Sequence, residues 1–109
     1  MANYRNKKLL AYARGQSCTM CGVCDGTIVA AHSNSQAHGK GMGIKAHDYR
    51  VAFLCARCHD WYDCRRPSAS TREWRQARWQ AAHEATIQIL YKAGLIDDAM
   101  RDMCLFPPD

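Results

Sequence analysis

Apolar and polar residues fall in short blocks along this chain, and each block has its own period. In residues 3–14, Leu9, Leu10 and Ala13 make a small apolar patch in a basic segment. With Asn3 as a cap and Gly15 as a stop, the pattern predicts a short helix. Thr27-Ile28-Val29-Ala30-Ala31 and Arg50-Val51-Ala52-Phe53-Leu54 are apolar and β-branched or aromatic, and predict two strands. The 17 residues between them, 33–49, are polar and rich in Gly, His and Lys. A loop of that length in a small protein generally carries function. Residues 55–65 predict a short helix broken by Pro67.

The longest element spans residues 70–94. Ser70-Thr71-Arg72-Glu73 fits a capping box, with Glu73 reaching back to the Ser70 amide, and Gly94 ends the helix. Two stripes lie at helical spacing: Trp74, Ala77, Ala81, Ala85 and Ile89, and Trp79, His83, Ile87 and Leu90. The tail, residues 95–109, carries Pro107-Pro108 and is expected to be loosely held. The order predicts an α+β fold in one domain spanning residues 1–109. Its core is about 16–66, a basic helix precedes it, and a long C-terminal helix packs on it.

Composition narrows the class. The chain has 109 residues, 48% of them hydrophobic, so one globular domain is expected and a disordered chain is excluded. No apolar run approaches the roughly 20 residues needed to span a bilayer. The basic segment 1–15 lacks a long apolar stretch, which predicts no secretory signal and a cytoplasmic location. The formal charge of +5 is uneven. Residues 1–66 hold ten Lys and Arg against four Asp and Glu, while residues 67–109 hold five against six. The positive field therefore lies with the cysteines and points to an acidic partner, nucleic acid first.

Seven cysteines are an odd count, and a reducing location argues against a disulfide framework. Cys18-x2-Cys21 and Cys55-x2-Cys58, with 33 residues between the pairs, supply four thiolates for tetrahedral zinc. Cys24 is an alternative to Cys21, and Cys64 and Cys104 are spare thiols. His59 follows the second pair directly. His59 and Asp63, four apart on a helix, share a face and can hold one divalent cation. His32 ends the first strand.

Ala31-His32, a long loop, and then Leu54-Cys55-Ala56-Arg57-Cys58-His59 resemble the HNH (His-Me finger) nucleases of ββα-metal fold. More closely, the chain resembles small phage and prophage nucleases related to the RecA-dependent Ref endonuclease. Ala30-Ala31-His32-Ser33-Asn34 and Gly39-Lys40-Gly41-Met42-Gly43-Ile44-Lys45-Ala46-His47-Asp48 carry the most particular part of the likeness. The resemblance implies a zinc-stapled ββα-metal domain in which His32 is the general base. His59 and Asp63 are then ligands of a catalytic cation, Mg2+ or Mn2+. Ala31 stands where many members place another ligand, so His83, Asp48 or water completes the set. The usual middle Asn is replaced by Asp48-Tyr49-Arg50, and Asp48 takes its orienting role.

Lys40, Lys45, Arg57, Arg65 and Arg66 are the expected contacts to the nucleic-acid backbone, with Arg5, Lys7, Lys8 and Arg14 extending the track. His38 and His47 are further loop candidates, and Trp61 and Trp74 are expected in the core. The implied function is metal-dependent hydrolysis of DNA phosphodiester bonds in phage recombination or replication, with a recombinase filament as a possible partner. The alternative is a non-catalytic zinc module that binds nucleic acid or a protein.

Overall fold

The computed structural model describes residues 3–64 and 70–106. Four helices surround a two-stranded sheet. Helix α1 is Lys7–Ala11, strands β1 and β2 are Val29–His32 and Val51–Leu54, and helices α2, α3 and α4 are Ala56–Tyr62, Arg72–Lys92 and Asp98–Leu105. The α+β class expected from the residue pattern is therefore observed. No helix among the described residues is long and apolar enough to cross a membrane.

The strands pair antiparallel, with His32 opposite Val51 and Ala30 opposite Phe53. Successive side chains on a strand point to opposite faces. Ala31 therefore turns into the core at 1% exposure, while Ala30 and His32 share the other face. Strand β2 is buried along its whole length. Among the described residues its outer edge has no third strand, and its polar groups are met by two side chains of α3 and by the Thr19 amide. Thr86 Oγ1 accepts from the Phe53 amide at 3.0 Å, His83 Nδ1 donates to the Val51 carbonyl at 2.7 Å, and the Thr19 amide donates to the Phe53 carbonyl at 2.8 Å. Thr86 also donates back to the Ala82 carbonyl at 2.9 Å.

These bonds decide which stripe of α3 faces inward. Trp79, Ala82, His83, Thr86, Ile87 and Leu90 are buried, at the spacing of one helix face. The rival stripe through Trp74, Ala77, Ala81 and Ala85 faces solvent. Trp74, expected in the core, is 52% exposed with the Arg78 guanidinium over its ring, and Trp61 is half-buried. The cap of α3 is Thr71, not Ser70: its side chain accepts from the Trp74 amide at 3.0 Å.

The N-terminal helix is shorter than its apolar pattern. Asn6, not Asn3, caps it by accepting from the Leu9 amide, and residues 3–6 are extended along the long loop instead. Residues 95–106 of the tail, expected to be loosely held, form a turn and a helix that pack on the core, while Pro107-Pro108 lie outside the described residues. At the end of α3 the Leu95 amide donates to the Leu90 carbonyl and Gly94 adopts φ +74°, which turns the chain back. Asp97 then caps α4, and Cys104 and Ile96 are buried.

Thr86→Val keeps the shape of the buried side chain but leaves the Phe53 amide without an acceptor. It is expected to lower stability by about 1–3 kcal/mol, read as a shift of the urea midpoint, with Thr86→Ser recovering most of the loss. An unchanged midpoint in the valine variant would show that this edge bond contributes nothing.

Candidate active site and metal centre

The two CxxC turns meet at the end of β2. Cys55 directly follows Leu54 and caps α2, while the Cys18 turn is pinned to the same strand through Thr19. The ligand atoms of Cys18, Cys21, Cys55 and Cys58 all lie within 4.8 Å of one another. The Cys21 and Cys55 sulfurs are 3.7 Å apart. A zinc tetrahedron with bonds of about 2.3 Å has an edge of about 3.8 Å, so the spacing fits that ion. Backbone amides point at the sulfurs: Cys21 to Cys18 at 3.4 Å and Cys58 to Cys55 at 3.5 Å. Burial pushes the Cys18 thiol up, but the amides of Cys21, Cys55 and Met20 outweigh it and bring Cys18 down to about 6. Burial, with the neighbouring thiols, pushes Cys58 well above the usual thiol range. One sulfur ionises readily and the next resists, which is the condition a dication relieves. Cys24 is exposed and outside the cluster, so Cys21 is the fourth member. The cluster can hold a structural metal such as zinc.

His32 lies at the end of β1. Its Nε2 is 2.8 Å from Asp48 Oδ1, and the Asp48 side chain is 3% exposed. Asp48 is held in turn by the Asn6 amide at 2.7 Å and by Arg5 Nη1 at 3.2 Å. A carboxylate on Nε2 keeps the proton there and leaves Nδ1 with the lone pair. Nδ1 has no hydrogen bond among the described residues and is not sealed from solvent. The pair is thus arranged to let His32 accept a proton.

The N-terminal segment acts as a strap over the loop that carries Asp48. Asn3 Nδ2 donates to the Gly39 and Lys45 carbonyls at 2.7 and 2.9 Å, and the Tyr4 amide donates to His47 Nδ1 at 3.0 Å. A Cβ at Gly39 would lie 2.9 Å from both Asn3 Nδ2 and the His47 ring, so glycine there serves the strap. Arg5, expected on the nucleic-acid track, instead donates to the Ala46 and Lys45 carbonyls at 2.6 and 2.8 Å and braces Asp48.

On α2, His59 Nε2 is 2.9 Å from Asp63 Oδ2. The hydrogen bond to Asp63 raises the His59 pKa against the opposing effect of burial. The same separation matches neighbouring ligands around a hard octahedral cation, which are about 3 Å apart when its bonds are about 2.1 Å. Asn34 Nδ2 donates to Asp63 Oδ1 at 2.9 Å and leaves Oδ2 toward His59. His32, Asn34, Lys40, Lys45, His59 and Asp63 line one cleft of about 390 Å³. An imidazole, a His–Asp pair spaced to suit a cation and two lysines therefore face a common space.

Other expected residues lie elsewhere. His83 is not brought to this cleft: it is fully buried, stacked on Trp79 at 4.7 Å and bonded to the Val51 carbonyl. Its role is to close the edge of β2, and burial holds its pKa down at about 4. Asp48 is engaged by His32, Arg5 and the Asn6 amide, away from the His59–Asp63 pair. Arg57 lies beside the cysteine cluster with Arg78 and Trp61. His38 bonds Ser33 Oγ at 2.7 Å, and His47 serves the strap. Arg65 and Arg66 lie outside the described residues. Sequence reasoning gave Asn34 no role of its own and gave Arg5 a different one. Asn34 had a usable signal, because it stands two positions after His32 and so continues the same strand face.

A family model described as "Putative nuclease YbcO" matches residues 7–95. A solved structure of a putative bacteriophage protein from Escherichia coli str. K-12 substr. MG1655 is similar to this chain. The two share 28% identity and a TM-score of 0.55, over 78% of this chain and 98% of that one. No curated protein matches.

Two outcomes follow from this geometry. Purified protein is expected to carry one zinc per chain by elemental analysis, and Cys58→Ser to lose the metal and the cooperative thermal transition. A zinc-free protein with an unchanged transition would remove the metal staple. For pH, His83 is neutral in the fold down to about 4, whereas the unfolded chain takes up its proton near 6.5. This group therefore costs the fold nothing above pH 6.5 and progressively more as pH falls toward 4. His83→Asn, which keeps a donor for Val51, is expected to be less stable at pH 7.5 but to lose Tm less steeply between pH 6.5 and 5. Parallel curves for the two proteins would contradict the burial argument.

Proposed function

The chain belongs to the YbcO nuclease family, and from that premise we propose that it is a metal-dependent HNH-type endonuclease that hydrolyses phosphodiester bonds in DNA. The observation that carries this reading is the single cleft shared by His32, the His59–Asp63 pair and the two lysines. The run of β1, β2 and α2 supports a ββα-metal unit, with His32 contributed by the strand and His59 and Asp63 by the helix. Four cysteines fit zinc in a structural role, away from the reaction.

In this reading a phosphodiester enters beside Lys40 and Lys45, whose charges offset those of its oxygens. His32 Nδ1 takes the proton of the attacking water as the new bond to phosphorus forms. Asp48, bonded at Nε2, stabilises the imidazolium that results. The bond from phosphorus to the 3′ oxygen breaks, and that oxygen takes a proton from solvent water, leaving a 3′-hydroxyl and a 5′-phosphate. His59 and Asp63 would hold Mg2+ or Mn2+, which supplies positive charge to the leaving oxygen and the phosphate. Asn34 keeps Asp63 turned toward His59. A phage setting, in recombination or replication, is supported by the likeness to a putative bacteriophage protein. A recombinase filament is the proposed partner there.

The test is nicking of supercoiled plasmid with Mg2+ or Mn2+, alone and with a recombinase filament added. His32→Ala and His59→Ala are each expected to lower the rate by about 10²-fold or more while keeping zinc and helical content. Asp48→Asn is expected to lower kcat with little change in KM. Unchanged cleavage in His32→Ala would remove it as the base. No cleavage under any of these conditions would overturn the enzyme reading in favour of a zinc-binding module.

A further inference from the structure

A second polar cleft, of about 400 Å³, adjoins the one just described. Asn34, Lys40 and Asp63 form the wall common to both. On its far side stand Arg72 and Arg75, from the first turn of α3. The expected nucleic-acid contacts did not include these two arginines, which lie in the half of the chain with no net positive charge.

The shared wall is well fixed. Asn34 holds Asp63 through its side chain, and its amide donates to the Tyr62 hydroxyl at 2.7 Å. That hydroxyl donates to Gln76 Oε1 at 2.6 Å, which ties the wall to α3. Tyr62 is itself buried and stacked on Trp79 at 5.7 Å. The distance between the cation ligands and the arginines is therefore set by a hydrogen-bonded chain and not by mobile side chains alone.

Asp63, a carboxylate of the lining, is engaged by His59 and Asn34 and, among the described residues, not by the basic groups of this cleft. Lys40, Arg72 and Arg75 make no ion pair among the described residues. Arg75 is half-buried and oriented by bonds to the Ser70 carbonyl and hydroxyl at 2.8 and 3.2 Å, while Arg72 is exposed. Planar guanidinium groups suit the paired oxygens of a phosphate. The positive end of α3, a helix of 21 residues, adds to the same field.

We propose that Arg72 and Arg75 bind the phosphate next to the one that is cut, with Lys40 on the wall between the two phosphates, making this cleft the strand-holding subsite. The inference rests on the nuclease reading above. The substrate strand then runs from the His32 cleft over the Asn34 wall to the start of α3. Arg72 and Arg75 touch the strand but not the reacting atoms, so they govern binding and leave the chemical step alone.

Binding without catalysis tests this. The zinc-loaded protein is titrated with a fluorescein-labelled single-stranded oligonucleotide, with no added divalent cation, over a series of salt concentrations. Arg72→Gln and Arg75→Gln are each expected to weaken binding and to lower the slope of log affinity against log salt by about 0.7. Arg101→Gln, on α4, makes the same change of charge away from the cleft and should leave the slope unaltered. In the nicking assay both cleft variants should raise KM and spare kcat. Arg72, exposed and without a hydrogen-bond partner among the described residues, keeps the test sound if Arg75→Gln disturbs the cap of α3. Equal slopes in Arg72→Gln, Arg101→Gln and the wild type would overturn the subsite while leaving nicking intact. Binding weakened in Arg72→Gln by a protein that never nicks would overturn the enzyme and leave the cleft as a strand-binding groove only. A wild-type protein that binds no oligonucleotide would overturn the subsite, and one that also fails to nick plasmid would overturn both.

Discussion

Strand β2 has one neighbour in the sheet yet is buried along its length, and the rest of the structure depends on how its outer edge is satisfied. Buried amides and carbonyls must find partners. Here they find Thr86 and His83 on α3 and Thr19 in the first cysteine turn. These contacts fix the rotation of α3 and bring the two CxxC turns together. They also set the stage for the chemistry, because His32 lies opposite Val51, Asp48 precedes the strand and Cys55 follows it. Two polar residues in the inward stripe of α3 are thus structural members of a sheet edge.

A single short helix separates the two metal-type sites. Successive residues of an α-helix are turned by roughly 100° from each other. Cys58 can therefore join the cysteine cluster while His59, its neighbour, faces Asp63 and the cleft. The cysteine cluster lies at the start of α2, and the His59–Asp63 pair follows one step later. In the proposed reading, position along the helix keeps the structural cluster apart from the hydrolytic site.

The long loop is held to the N-terminal segment by hydrogen bonds in which a side chain takes part, beside the buried Ala46 and Tyr49. Asn3, Tyr4, Arg5 and Asn6 bond to residues 39–48 and pass their constraint to Asp48, and through it to His32. An N-terminal segment that reads as a helix start in isolation does its work as a strap. Its side chains meet carbonyls more than thirty residues away, and that competition draws residues 3–5 out of the helix.

Much of this was legible in the residues themselves, since short-range physics decides it. CxxC spacing puts two sulfurs on one turn, an i,i+4 pair puts His59 beside Asp63, and β-branched runs make the two strands. The length of α3 follows from its cap and its terminal glycine. The tertiary structure alone decided between stripes on α3 of similar spacing, and it chose the one whose His83 and Thr86 could close the edge of β2. It alone turned His83 from a candidate ligand into a core residue, packed residues 95–106 through Ile96 and Cys104, and assigned Arg5 to Asp48. Each of these depends on a partner distant in sequence. Local pattern carries the period and chemistry of a residue, but the partner that satisfies it is set only when the chain packs.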